Sequence, residues 1–189
     1  LRDMNDAVLW AISMHEALPG HFLHFEALRG LEVPWHKASI LAPLSVVEGW
    51  AHYAEQLVVE LGFARKDPVI ELGQLAEALV RLSRLVVGLR LHAEDLSVEQ
   101  GVRFFREEAL LEEGNARREA ERGSFDPSYV TYALGKIMLL KLRADVKAQQ
   151  GQKFDLGRFH EAFLGLGLRP FRVLRQLMLG ENDDQALLA

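Results

Sequence analysis

The chain has 189 residues, of which 49% are hydrophobic and 26% charged, and this composition is typical of a folded globular protein. Its formal net charge of −5 disfavours nucleic acid as the main partner, because binding to phosphates requires a basic surface. The absence of cysteine excludes disulfides, thiolate metal ligands and cysteine nucleophiles.

Residues 1–189 are enough for a single domain with a buried core, and no composition shift suggests two domains. No apolar run reaches the length of a membrane helix, and the first residues do not have the pattern of a signal peptide. We therefore predict a soluble protein with no membrane partner, either cytoplasmic or exported. The sequence starts at Leu1 without an initiator methionine, so the missing signal-peptide pattern is weak evidence about localisation.

Apolar residues recur with helical spacing along the whole chain, and capping residues or prolines mark where each helix starts. The predicted helices start, in chain order, near Asp3 or Asn5, His21, Pro43, Pro68, Val98, Pro127, Asp155 and Pro170. Residues 107–121 are rich in charge and predict a solvated helical face, whereas the leucines of the fourth helix, over 72–91, predict ordinary core. No run of alternating apolar residues predicts a strand, so the fold class is all-α.

The end of the first helix carries two histidines and a glutamate within the stretch 15–21, HEALPGH. Zinc peptidases carry His-Glu-x-x-His on a helix, where histidines four apart can bind one ion. Here His15 and His21 are six apart, so on an unbroken helix they would point about 240° apart and lie about 9 Å apart along the axis. Pro19 removes the amide that would bond to the carbonyl of His15, and Gly20 tolerates a distorted backbone. A break at Leu18–Gly20 would therefore bring the histidines together on one metal ion.

A simpler interpretation of this stretch remains open: Pro19 and Gly20 end one helix, His21 starts the next, and the histidines are ordinary, partly buried residues. His24, three residues after His21, could line the same region or lie at the surface. The segment opened by Pro34, with Trp35 and His36, is where we would first expect a loop that faces a substrate.

A second polar cluster lies on the helix opened by Pro43. Glu48, His52 and Glu55 are spaced four and three apart and share a face. Zinc peptidases with two histidine ligands take a third ligand from a glutamate on a following helix and leave the fourth position open. Gly49 would let this helix approach the first one closely. The alternative is a polar face with a local Glu–His contact.

Taken together, HEALPGHFLH and EGWAHYAEQL resemble the bacterial family known as domain of unknown function 885, DUF885. Further stretches support the resemblance: 61–63, 67–68, 84–92, 97–100, 132–136 and 154–165. The resemblance implies a gluzincin-like zinc metallopeptidase domain, of which this chain corresponds to the C-terminal, motif-bearing part. Two positions depart from the family pattern, since Gly88 stands where an acidic residue is usual and His52 where an apolar residue is usual. The first departure puts in doubt an acidic residue that would support the site from behind its ligands, and the second adds a polar group near the site.

The expected site holds one Zn²⁺ per chain on His15, His21 and Glu48, with water at the open fourth position. Glu16 follows a ligand directly and points elsewhere, so we expect it to be the general base. Glu55 would orient one of the metal-binding histidines without contacting the metal itself.

Charge that develops on the reacting carbonyl needs a further donor. The resemblance implies a tyrosine or histidine from a later helix, for which Tyr132 and His92 are the candidates. A packing tyrosine and a histidine at a helix C-terminus are the alternatives. Arg84 and Lys136 could bind a substrate carboxylate.

We predict a zinc-dependent hydrolase that cleaves a peptide or a small amide. The alternative is a helical interaction or scaffold domain with a structural metal or none. In a structural site, a fourth ligand such as His52 or His24 would close the coordination sphere. An upstream half of the same protein could be a partner, and the oligomeric state is open.

Overall fold

The computed structural model describes residues 5–32, 42–63 and 67–180. Within these ranges the chain forms α-helices and two 3₁₀ turns and no strand, so the predicted all-α fold class is confirmed. The helices are α1 (Asp6–Glu16), α2 (His21–Arg29), α3 (Leu44–Glu60), α4 (Pro68–Ala93), α5 (Val98–Glu108), α6 (Glu113–Phe125), α7 (Thr131–Gln150), α8 (Leu156–Gly165) and α9 (Phe171–Leu179). The 3₁₀ turns are Pro127–Val130 and Gly151–Lys153. The segment with Trp35 and His36 lies outside the described residues.

Local capping chemistry sets the starts of α1, α4, α5 and α8, as the sequence predicted, whereas the start of α6 at Glu113 was not predicted. The Asn5 side chain accepts a hydrogen bond from the Val8 amide at 3.0 Å. Ser97 and Gln100 form a reciprocal capping box at the start of α5. The side chains of Asp67 and Asp155 cap α4 and α8 in the same way as Asn5 caps α1.

Helices α3 and α7 form the centre of the main hydrophobic core, which α8 and α9 complete. Gly49 and Gly135 let the two helices touch, because a Cβ atom added at Gly49 would lie 2.5 Å from the carbonyl carbon of Gly135. The expectation that Gly49 serves an approach to the first helix is therefore wrong, since its close neighbour is α7. A second core cluster lies among α4, α5 and α6, around Phe105 and Tyr129.

The leucine face of α4 is the main departure from the predicted core. Leu72 is 66% exposed, Leu75 52% and Leu89 52%, and Leu79, Leu82 and Val86 are also exposed. The buried face of α4 instead carries smaller or polar residues, namely Ile70, Gly73, Gln74, Val80, Arg81, Ser83, Val87 and Gly88. The prediction that the leucines form ordinary core is wrong for these six side chains. None of the described helices combines the length and apolarity needed to cross a lipid bilayer.

Candidate metal centre

The chain breaks between α1 and α2 and brings the two histidines together. Helix α1 ends at Glu16, and α2 begins at His21 after a four-residue turn. The rings of His15 and His21 pack edge to face with their centroids 4.7 Å apart. Pro19 and Gly20 therefore do end one helix, as the simpler interpretation has it, but the histidines that flank them are neighbours in space.

Two features hold this turn in place. Gly20 packs against α1 so closely that an added Cβ atom would lie 1.8 Å from the carbonyl oxygen of His15. The indole Nε1 of Trp50 donates to the carbonyl oxygens of Pro19 at 2.9 Å and Gly20 at 3.2 Å. Trp50 lies on α3 and is 1% exposed. The turn is thus fastened to the same helix that carries Glu48.

Glu48 completes a set of three converging side chains. Its Oε2 atom lies 3.4 Å from Nε2 of His15 and 3.6 Å from Nε2 of His21. These separations exceed a hydrogen bond, yet they match the roughly 3.4 Å between two tetrahedral ligands whose bonds to zinc are about 2.0–2.1 Å long. The same Oε2 atom is buried and has no hydrogen-bond partner among the described residues. A buried carboxylate oxygen of this kind requires a cation or a donor, so the three side chains fit a Zn²⁺ ion.

The charge state of Glu48 suits a metal ligand. Burial works to raise its pKa, but the contacts with His15 and His21 prevail and lower the pKa to about 2. For His15, burial works to lower the pKa, while Glu48 and Glu55 together raise it above the usual value. The carboxylate is therefore an anion across the physiological range, and a metal must compete with a proton for His15.

Glu16 lies beside the histidines but on the solvent side. One ligand atom from each of His15, Glu16 and His21 can be chosen so that all lie within 4.8 Å of one another. Glu16 is exposed, in contrast to the buried His15. This position allows a carboxylate to reach a water molecule that enters from solvent.

Behind the histidines, a buried ion pair orients His15. Nδ1 of His15 lies 2.6 Å from Oε1 of Glu55, and the same oxygen lies 3.0 Å from the guanidinium of Arg81. Burial works to raise the pKa of Glu55, but Arg81, His15 and His52 lower it to about 2. Glu55 therefore lies where it can orient the ring of His15. Sequence reasoning missed Arg81, whose only local signal is Glu77 four residues earlier, to which it is paired at 2.8 Å.

Neither of the other two histidines near the motifs is among the converging ligand atoms of the described residues. His24 is 1% exposed and packs against Trp50 and Phe163. Nδ1 of His52 lies 3.5 Å from Oε2 of Glu55, on the far side of that carboxylate from His15. Burial lowers the pKa of both His24 and His52 to about 4, so both rings are neutral.

Of the remaining predicted residues, Tyr132 lies beside the histidines and Arg84 lies next to Tyr132. Tyr132 lies at the site, with its ring stacked 6.5 Å from that of His15. Arg84 lies over the Tyr132 ring at 5.5 Å, but two of its nitrogens are already bound to Glu119 at 2.7 and 2.8 Å. Tyr129 also donates to Glu119.

The structure does not bring His92 and Lys136 to the histidines. His92 is 11 residues after Arg81, or about 16 Å further along α4, and its Nε2 contacts the carbonyl of Gly123 at 2.9 Å. Lys136 lines a cavity between α3, α4 and α7 whose described lining includes neither His15 nor His21.

The sequence matches the model of one protein family over most of its length. The profile of the DUF885 family, described as bacterial protein of unknown function, matches residues 1–178. The chain belongs to this family. No curated protein matches the DUF885 chain significantly.

Two solved structures, each described as a "putative lipoprotein", share the fold of this DUF885 chain. One, from Colwellia psychrerythraea, is 33% identical with a TM-score of 0.87 and is matched over 95% of this chain and 31% of its own length. The other, from Shewanella oneidensis and described as of unknown function, is 28% identical with a TM-score of 0.87, over 95% of this chain and 33% of its own. The chain thus spans about a third of the length of each.

Proposed function

We propose that this DUF885 chain carries the metal centre of a zinc-dependent hydrolase that cleaves peptide or other amide bonds. One observation carries the proposal: the buried Oε2 atom of Glu48 has no hydrogen-bond partner among the described residues and lies at ligand-to-ligand distance from Nε2 of His15 and of His21. Two imidazoles and one carboxylate are the ligand set of catalytic zinc sites that keep one position open.

His15, His21 and Glu48 would hold the ion. When bound there, Zn²⁺ would lower the pKa of water and polarise the carbonyl of the substrate. Glu55 accepts a hydrogen bond from the Nδ1–H group of His15, so that Nε2 keeps its lone pair for the site. Arg81 keeps Glu55 anionic in this role.

Glu16 and Tyr132 would perform the proton and charge steps. The exposed Glu16 carboxylate takes a proton from the attacking water and delivers it to the leaving amine. The Tyr132 hydroxyl, on a ring stacked beside His15, donates a hydrogen bond to the oxygen on which charge develops. His92 is too far along α4 for this role, so Tyr132 is the preferred candidate.

A second candidate function is a helical interaction domain whose metal is structural or absent. The exposed leucine face of α4 favours it, because contiguous exposed apolar surface marks sites of association. A structural zinc would need a fourth protein ligand, and the burial of His24 among aromatic rings and of His52 behind Glu55 argues against either one. We therefore rank catalysis first.

The substrate is a peptide or a small amide, and we propose neither nucleic acid nor membrane as a partner. Because the relatives are about three times longer, the rest of such a protein is a candidate partner that completes the substrate cleft.

Glu16→Gln tests catalysis apart from metal binding. The zinc-loaded chain is incubated with a peptide library, and cleavage is followed by mass spectrometry. We expect the variant to keep its zinc and to lose at least about a hundredfold in rate, the scale of one positioned general base. The control is Glu26→Gln, an exposed glutamate on α2 that is paired with Arg29. Full activity in zinc-loaded Glu16→Gln would contradict the assignment, and a zinc-loaded wild type that cleaves nothing would favour the interaction domain.

A further inference from the structure

A second cavity lies further along α3, where that helix meets α4 and α7. Its volume is about 630 Å³, within the range of small-molecule sites. Gln56, on its wall, is eight residues after Glu48, or about 12 Å along the helix axis, and none of the proposed zinc ligands lines the cavity. The cavity is therefore separate from the metal centre.

The wall of the cavity carries a cation that no described side chain neutralises by contact. Lys136 is 8% exposed and lines the cavity, and among the described residues it makes no hydrogen bond or ion pair. An ammonium group at the wall of a largely apolar cavity is stabilised when an anion pairs with it. Burial lowers the pKa of Lys136 to about 8, with Glu55 and Glu60 acting in the opposite direction. The uncompensated charge is the feature that a ligand would satisfy.

Gln74 provides a second polar group of the same kind. It is 4% exposed, lines the cavity and has no hydrogen-bond partner among the described side chains and backbone groups. Its amide and the ammonium of Lys136 together offer donors to one small anionic group. His52 also lines the cavity, and its ring is neutral because burial lowers its pKa to about 4.

The other side chains that line the cavity determine what the rest of the ligand must be. The apolar residues of the described lining are aliphatic, with no Phe, Tyr or Trp among them; they are Val59, Leu75, Ala78, Leu82, Ala133, Ile137 and Leu140. Glu60 and Glu71 also line the cavity and are exposed, so a second negative charge on the ligand would be repelled. Leu75 and Leu82 belong to the exposed face of α4, and a ligand chain would cover part of it.

We propose that this cavity binds an aliphatic monocarboxylate of the fatty-acid type, with its carboxylate on Lys136 and Gln74 and its chain against the aliphatic walls. The site needs no zinc. It lies beyond the proposed hydrolase function and stands or falls separately from it.

Decanoate tests the proposal, titrated calorimetrically into the metal-free chain so that no carboxylate can bind to zinc. We expect one decanoate per chain. Lys136→Met should weaken binding at least about tenfold, the scale of losing a charge-assisted hydrogen bond. Lys147→Met, an exposed lysine on the same helix, should leave it unchanged. Decanol, which lacks the charge, should bind equally to wild type and to Lys136→Met.

A second variant covers the case in which Lys136→Met does not fold. Ala78→Phe fills the cavity from α4 without altering Lys136, and it should abolish decanoate binding. Absence of binding to wild type, wild-type affinity in Lys136→Met or wild-type affinity in Ala78→Phe would each overturn the proposal.

Discussion

Nδ1 of His15 lies 2.6 Å from Oε1 of Glu55, and this contact leaves the other ring nitrogen, Nε2, to point to Glu48 and His21. Both partners are buried, at 5% and 0% exposure. A carboxylate behind a metal-binding histidine sets the tautomer and orientation of the ring and makes the opposite nitrogen a better ligand. The contact therefore links the core of the protein to the proposed metal centre through His15.

Glu55→Gln should weaken zinc binding about ten- to a hundredfold, because an amide holds the His15 ring less firmly and leaves it less basic. Competition with a coloured chelator measures the affinity. The control is Glu60→Gln on the same helix, whose carboxylate contacts Gln56 and Arg143 and not the histidines. Equal zinc affinity in Glu55→Gln and Glu60→Gln would mean that Glu55 does not support the metal.

Arg81→Met should lower the free energy of unfolding of the metal-free protein by about 3–5 kcal/mol, because it leaves the Glu55 carboxylate buried without its cation. Urea denaturation measures the loss. Arg90→Met, on the same helix but in an exposed pair with Glu94, should change the value by less than about 1 kcal/mol. A similar small change in both variants would show that Arg81 is not needed to hold Glu55.

Gly20→Ala should disrupt the turn that joins the two histidines. The added methyl group would overlap the carbonyl of His15, so the backbone must move and His21 must move with it. We expect a loss of both stability and zinc affinity. Gly30→Ala, at the other end of α2, meets only the Ala27 carbonyl at 3.6 Å and should alter neither. A Gly20→Ala variant with wild-type zinc affinity would show that zinc binding does not depend on the geometry of this turn.

The metal-free protein should lose stability as the pH falls from about 4.5 toward 2. The pKa values of Glu48 and Glu55 are lowered from 4.5 to about 2 in the folded state, so the unfolded state binds protons more readily in this range. Their contribution is fully present above pH 4.5. Acid titration of the unfolding free energy should show a smaller loss in Glu55→Gln than in Glu71→Gln, which removes an exposed carboxylate. Identical curves would contradict the lowered pKa of Glu55.

The pKa shift of His15 makes stability depend on pH in the opposite direction. Its pKa is raised, so the stability that its protonated form contributes is present below the ordinary value of 6.5 and is lost as the pH rises through the raised value. Zinc must displace this proton, and its affinity should therefore increase with pH over the same range.

Features set by local chemistry were predictable from the sequence. Asn5, Asp67, Ser97 and Asp155 cap helices through bonds to residues two or three positions away, so sequence alone locates the starts. Pro19 predicts the break after His15 for the same reason, since it lacks the amide that the helix needs. The proximity of Glu48 to the histidines was predicted because two-histidine zinc peptidases take a third ligand from a glutamate on a following helix, together with the family resemblance.

Long-range features were not predictable. Arg81 reaches Glu55 from another helix, and its one local signal, Glu77 four residues earlier, does not indicate Glu55 as a partner. The periodicity of the α4 leucines shows that they share a face but not what covers that face. His92 and Lys136 were chosen by residue type, and only the tertiary structure places one against Gly123 and the other in a separate cavity.

Zinc titration of the chelator-treated chain tests the metal centre most directly, with calorimetry giving both stoichiometry and affinity. We predict one Zn²⁺ per wild-type chain and loss of most of this binding in His21→Ala and Glu48→Gln. His24→Ala, which removes a buried histidine outside the cluster, should still bind one ion if it folds. A wild-type chain that takes up no zinc, or His21→Ala and Glu48→Gln variants that bind zinc as tightly as wild type, would contradict the account.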